Sequence, residues 1–264
     1  MPIFMNRNYL TCNMKSYMML TKRLRRRIDN QTLKMELGLK GNEMDLDFSI
    51  VLAQWPRFLW GLAYDLYFAL AGFAIGCVIG FISYLGSASR SKIANGISYV
   101  YVQIVRGLPM YLLLLWIYFG IATKFGLALS GPQAIIIAIG IMSSAFASEI
   151  FRTGYNSIDV GQIEAGKALG LSDYRINRTV LFPQVIRVVI PPLLNVFVIC
   201  FKASTYAAVV AVPELIFAAQ DISLNHYRPF EAYISVAALL ITTMLLLSML
   251  VNIIENRLNE SRGL

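Results

Sequence analysis

Long apolar stretches separated by short polar ones organise most of this chain: residues 61–85, 93–122, 132–151, 185–212 and 233–254. The first carries a single charge, Asp65, near its start. Because roughly 20 apolar residues suffice for a helix to cross the hydrocarbon core, each stretch predicts a transmembrane helix. The expected fold class is therefore all-α, a polytopic membrane protein with five transmembrane helices. Ahead of the first, Trp55-Pro56 to Trp60 reads as an amphipathic lead-in helix lying at the interface, where tryptophan prefers to sit.

The second stretch is interrupted by Arg106-Gly107-Leu108-Pro109. Proline has no N–H and pushes the residue before it out of helical geometry, so a break is expected here. Inside a bilayer such a break is tolerated only where protein or a water-filled path satisfies the freed backbone, which makes Arg106, Gly107 and Pro109 candidates for a translocation path. A packing kink with Arg106 snorkelling to the interface is the other reading. The third stretch is dense in Gly140, Ser143, Ser144, Ala145, Ala147 and Ser148, residues small enough for close helix packing. In the fourth, Arg187, Pro191 and Pro192 mark the start and Lys202 falls near the middle. A charge within a span points to a pathway, the alternative being an ion-paired or snorkelling lysine. Residues 213–229 read as a polar loop with Glu214, Asp221, His226 and Arg228, and 252–264 as a mixed-charge tail.

The longest patterned polar interruption is 162–183. Ala165, Ala168 and Leu169 share one face at helical spacing, bracketed by Glu164 and Lys167, which predicts a short helix over 162–170 with Glu164 in its first turn. Gly170 should stop it. Ser172 is a plausible N-cap for a second short helix carrying Tyr174, Arg175 and Arg178, which Pro183 should end. Basic residues accumulate in short cytoplasmic loops. Segment 152–187 holds Arg152, Lys167, Arg175, Arg178 and Arg187, and the loop after the first span holds Arg90 and Lys92, against Lys124 and Arg228 in the other two loops. The knob and the C-terminus are accordingly expected inside, the start of the first span outside.

Composition agrees with a membrane protein: 57% of the 264 residues are hydrophobic and the mean hydropathy is +0.61. The net charge of +8 does not imply nucleic acid, because the basic residues sit at the ends of apolar runs. Cys12, Cys77 and Cys200 are too scattered for a disulfide framework, and the lone His226 builds no metal site. No G-x4-G-K-[ST] loop occurs and no catalytic constellation converges, so the chain is not expected to be an enzyme or to hold a cofactor; if ATP drives it, ATP and Mg are bound by another subunit. Residues 1–43 contain the cluster Lys22, Arg23, Arg25, Arg26 and Arg27 behind a short apolar run, the wrong order for a signal peptide. They read as a basic, disordered or interfacial extension, or as the product of a start site placed too far upstream, with Met44 or Met35 the true beginning.

Glu164-Ala165-Gly166, then Gly170, then Val180-x-Phe182-Pro183 resembles the Glu-Ala-Ala loop of bacterial ABC import permeases, with the spacing E-A-A-x3-G-x9-I-x-L-P. Arg106-Gly107-Leu108-Pro109, Ser148-Glu149-Ile150-Phe151-Arg152, Ala211-Val212-Pro213-Glu214-Leu215 and Arg228-Pro229-Phe230-Glu231 are similar, in order, to motifs of the polar amino acid uptake branch, the histidine, glutamine, glutamate and arginine permeases. The resemblance spans 44–258 and implies a fold of the type I ABC importer permease kind in a bacterial cytoplasmic membrane. It also implies a coupling loop at 156–184, with Gln162, Glu164, Ala165, Gly166, Ala168, Leu169, Gly170 and Leu171 docking on an ATPase dimer. A translocation path at Arg106, Gly107, Pro109, Lys202, Ser204 and Thr205 is implied, with an outer loop or gate at Glu214, Arg228 and Glu231. Implied partners are that ATPase, a second permease that is a copy or homologue, an extracytoplasmic amino-acid-binding protein and the lipid bilayer. One departure stands out: Lys202-Ala203-Ser204-Thr205 occupies a position where the family usually reads Lys-Asp-Thr-Ser, so a carboxylate is missing. An ion-coupled secondary transporter is the rival class; it calls for internal repeats and more spans, neither visible here.

Overall fold

The computed structural model describes residues 46–260, and among these all regular structure is helical. The basic extension expected over 1–43 lies outside the described residues, as do 261–264. In chain order the helices are α1 (Ser49–Ala53), α2 (Trp55–Ser87), α3 (Lys92–Gly107), α4 (Met110–Leu115), α5 (Gly131–Asn156), α6 (Val160–Ala168), α7 (Asp173–Ile176), α8 (Phe182–Ser204), α9 (Leu215–His226) and α10 (Pro229–Glu260). Four helical stretches, Trp55–Ser87, Gly131–Asn156, Asp173–Val210 and Pro229–Leu258, are long and apolar enough to cross a membrane. The pair Lys92–Gly107 and Met110–Lys124, bent by 104°, meets the same length and composition taken together and makes a fifth when counted as one span.

Several boundaries differ from expectation. Trp55–Trp60 is no separate interfacial helix but the first turns of α2, where Pro56 takes a position that needs no N–H donor. The 33 residues of α2 extend about 50 Å at 1.5 Å per residue, well beyond the roughly 30 Å of hydrocarbon, so its ends reach both interfaces. Pro183 does not end a helix. A π-helical stretch, Asn177–Leu181, links α7 to α8, and Pro183 lies in the first turn of α8, directly after that irregular stretch. Pro191 and Pro192 lie inside α8 rather than at its start. Residues 213–229 are not an open polar loop, since α9 buries Leu215, Ala219 and Ile222 completely. The tail expected from 252 is helical to Glu260.

The expected break at Pro109 is present. Leu108 (φ −87°, ψ 129°) and Pro109 (φ −61°, ψ 130°) are both extended, and α4 restarts with the Leu113 N–H on the Pro109 carbonyl at 3.0 Å. Past α4 the helix widens into a π-helical turn, Trp116–Ile121.

α2 and α5 are the central pair and run parallel. Gly72, Gly76 and Gly80, one turn apart, meet Ile139, Ser143 and Ala147 in the same order. A Cβ on Gly72 would sit 2.5 Å from Ile139 Cγ2, one on Gly80 2.6 Å from the Ser144 carbonyl, and one on Gly76 would overlap the Ser143 hydroxyl. The small residues recognised on α5 thus have a glycine ridge as their counterpart. α8 runs antiparallel to this pair: Ser204 meets Asp65, and the Phe197 ring meets the Phe73 ring edge-on at 5.7 Å. Phe68, Leu114, Ile135, Ile139 and Phe201 fill the core between α2, α4, α5 and α8.

Gly76→Leu is therefore expected to destabilise the protein by about 1–3 kcal/mol, the range for overpacked cores, read as a lower thermal unfolding midpoint in detergent. Gly96→Leu, at a helical glycine with nothing within 4 Å, should leave the midpoint unchanged. Equal behaviour of the two variants would remove the ridge as an explanation for the α2–α5 pairing.

Candidate functional site

The patterned knob is built from α6, α7 and the glycine turn between them. Asp159 caps α6, its Oδ1 accepting from the Gly161 N–H at 2.6 Å. Glu164 consequently lies beyond the first turn, contrary to expectation, and Asp159 occupies the place that favours a carboxylate. Gly170 takes φ +71°, which lets the Leu171 N–H return to the Gly166 carbonyl at 3.1 Å and closes the helix. Ser172 caps α7 as expected, accepting from the Arg175 N–H. Gly166 faces inward: a Cβ there would lie 2.8 Å from the buried Ile176 side chain, so glycine is what lets α6 lie on α7. Gln162, Glu164, Ala165, Ala168, Leu169 and Gly170 are exposed, Leu171 half-buried. Leu169 is 79% exposed and Tyr174 70%, an outward apolar surface that the knob itself does not cover.

The residues expected on a translocation path separate into two groups. Arg106, Gly107 and Pro109 are exposed at the bend, with the Arg106 guanidinium 5.8 Å from the centre of the Phe146 ring. Lys202 is exposed near the end of α8 and forms no ion pair among the described residues, while Thr205 is half-buried and its hydroxyl donates to the Lys202 carbonyl at 2.8 Å. Ser204 is different. It is fully buried and its hydroxyl faces Asp65 Oδ1 at 2.8 Å, inside the α2–α8 contact rather than on an open path.

That contact belongs to a polar centre that the sequence did not reveal. Asp65 and Glu214 are both 0% exposed. Asp65 Oδ2 accepts from the Leu215 N–H at 3.4 Å, and Glu214 accepts from the Ile216 and Phe217 N–H groups at 2.8 and 2.9 Å. The two carboxyl groups together take up three N–H groups at the start of α9, where the helix dipole favours negative charge. Gly61 permits this approach, since a Cβ there would lie 2.7 Å from the Leu215 nitrogen. Glu214 is thus a buried helix cap and not an open outer-loop residue. Burial, and secondly the neighbouring Asp65 carboxylate, push the Glu214 carboxyl well above the usual range. Glu231, buried, pairs with Arg228 at 3.1 Å. The available signals were a lone carboxylate in an apolar stretch and a second one directly after a proline.

The family profile described as "Binding-protein-dependent transport system inner membrane component" matches residues 72–260. The glutamine transport system permease protein GlnP of Escherichia coli (strain K12) is 32% identical over 216 residues, covering 81% of this chain and 99% of GlnP. The arginine transport system permease protein ArtQ of Bacillus subtilis (strain 168) is 29% identical, covering 83% of this chain and all of ArtQ. Among solved structures, an amino acid ABC transporter crystallised with histidines superposes with a TM-score of 0.76 at 32% identity, over 80% of this chain and 99% of that one. The MetNI methionine ABC transporter in an inward-facing conformation shares the fold, with a TM-score of 0.61 at 21% identity over 76% of this chain and 94% of that one.

The Glu214 carboxyl binds its proton more tightly when α9 is docked than when it is released. Its stabilising contribution is complete below the ordinary carboxylate range and is lost as pH rises through the raised value. Amide protection of Leu215–His226 in lipid nanodiscs, corrected for intrinsic exchange, should fall between mildly acidic and alkaline pH. Glu214→Gln keeps an acceptor for one of the two N–H groups, carries no titrating proton and should flatten that dependence; an unchanged slope would show that Glu214 is not its source.

Proposed function

This chain belongs to the binding-protein-dependent transport system inner membrane components, within the polar amino acid branch of ABC permeases, and on that premise we propose that it is the membrane-spanning subunit of an ATP-driven importer of polar amino acids or amino-acid derivatives. A separate ATPase dimer drives it through the α6–α7 knob, and a second permease completes the path. A binding protein delivers substrate on the far side of a bacterial cytoplasmic membrane. The chain itself hydrolyses nothing; ATP and Mg belong to the ATPase.

The observation that carries this reading is mechanical. α6 presents Leu169 and its neighbours outward, is fixed to α7 through the Gly166–Ile176 contact, and α7 continues without a break into the span, the whole of Asp173–Val210 being one helical rod. A partner that moves the knob therefore moves the span. The charges at the bend and near the end of α8 agree: Arg106 and Lys202 are exposed on this chain alone, and a charge facing hydrocarbon is costly. Both are accommodated if they face a water-filled cavity completed by a second permease. The orientation follows the basic loops. Parallel packing of α2 and α5 brings the 88–91 turn to the same end as the knob, which places Arg90 and Lys92 beside Arg152 and the knob's own cations.

Leu169→Asp and Glu164→Lys are expected to reduce ATPase co-purification and to lower ATP-dependent amino-acid uptake in proteoliposomes at least tenfold, the loss typical of a buried interface anchor removed (about 1.4 kcal/mol or more), with the thermal midpoint of the permease unchanged. Normal uptake in both variants would refute the docking role. Uptake by this chain without ATPase, driven by an ion gradient, would favour the secondary transporter. Lys202→Cys should react with a small water-soluble thiol reagent in the assembled transporter, at a rate that changes when ATP is trapped in the ATPase; no labelling in any state would place Lys202 away from the cavity.

A further inference from the structure

A cavity of about 340 Å³ at the N-terminal end of α2 takes no part in the path or the knob. Arg57, Trp60 and Tyr64 of α2 line one side, Phe217 and Asp221 of α9 the other, with Pro213 between them. Arg57 Nη1 donates to Asp221 Oδ2 at 2.7 Å and to Gln54 Oε1 at 2.9 Å, and Asn225 Nδ2 donates to Asp221 Oδ1 at 2.9 Å. The two charges are held side by side from behind. Nε and Nη2 of Arg57 have no partner among the described residues, and its side chain is 62% exposed. An exposed ion pair contributes little to stability, so folding alone gives no reason to set a fixed cation and anion beside three aromatic rings.

The position identifies what such a pair meets. Trp60 is 68% exposed, and with Trp55 and Tyr64 it forms an aromatic cluster of the kind found at the membrane–water boundary. From Tyr64 the same face of α2 continues at helical spacing through Tyr67, Ile75, Val78 and Ile82, all exposed and all compatible with hydrocarbon. We propose that this cavity binds the zwitterionic head group of a phospholipid such as phosphatidylethanolamine. The phosphate accepts from the free edge of Arg57, and the ammonium lies between the Asp221 carboxylate and the faces of Trp60, Tyr64 and Phe217. Its acyl chains follow the apolar stripe of α2. A free amino acid carries the same pair of charges but has nothing to lay along that stripe. The proposal requires only that the chain spans a membrane and is independent of how transport is powered.

The test is native mass spectrometry of the transporter released from nanodiscs containing phosphatidylethanolamine and phosphatidylglycerol with identical chains. Phosphatidylethanolamine should be retained preferentially, and Arg57→Gln, which removes a contact to the phosphate that both lipids carry, should reduce retention of either about tenfold, as expected for one lost charge-assisted hydrogen bond. Trp60→Ala, which leaves the ion pair in place, should reduce the preference several-fold. Equal retention of the two lipids by the unaltered protein would overturn the proposal, as would retention unchanged in both variants. Displacement of phosphatidylethanolamine by millimolar glutamine or arginine would also overturn it and assign the cavity to a free zwitterion. Because lipid retention is read without turnover, a failure of the ATPase-coupling reading leaves this result interpretable.

Discussion

The closeness with which α2 approaches its neighbours governs the arrangement of α5, α8 and α9. In a bilayer, apolar contact gains little, because lipid tails are as apolar as leucine; helices are held by tight packing and by hydrogen bonds. α2 uses both. Gly72, Gly76 and Gly80 bring its backbone against α5, Gly61 brings it against the start of α9, and Asp65 ties it to α8 through Ser204. No single one of these contacts would fix the bundle. Together they determine the direction of α5 and α8 and the depth at which α9 enters.

The irregular backbone is distributed away from that centre. The 104° bend and the π-turn Trp116–Ile121 lie on the second crossing, and the π-turn Asn177–Leu181 lies on the rod that begins in the knob. The 3₁₀ segment Thr205–Val210 ends in Ala211 at φ 56°, a left-handed conformation that a residue with a Cβ adopts at a cost of about 1–2 kcal/mol. α2 and α5 contain no such interruption. A regular pair thus supports two irregular elements, and these are the elements that carry Arg106, Lys202 and the exposed surface of the knob.

The sequence displayed those parts whose physics is local. Apolar length showed the spans, Pro109 showed the bend, and Gly170 and Ser172 showed the turn between the two helices of the knob. What it concealed depends on partners far away in the chain. Glu214, Asp221, His226 and Arg228 made 213–229 look like a loop, although Leu215, Ala219 and Ile222 recur at the spacing of a buried helix face. Pro183, Pro191 and Pro192 read as boundaries, yet one enters α8 after a π-turn and the others lie within it. Asp65 looked incidental because its partners are 139 and 150 residues later. Gly72, Gly76 and Gly80 were visible at a regular interval, but only the matching row on α5 gives that interval its meaning.

The separation of Asp65 from its partners bears on how the protein is made. At synthesis rates of about 5–20 residues per second, the Ser204 hydroxyl and the Leu215 amide emerge roughly seven to thirty seconds after Asp65. The glycine ridge can wait in lipid for α5, because it exposes no polar side chain. Asp65 cannot, and has to stay where water or the insertion machinery reaches it until α8 and α9 arrive. The first span to be synthesised is therefore among the last to settle, and its final seating reports that the nascent chain is complete nearly to its last crossing.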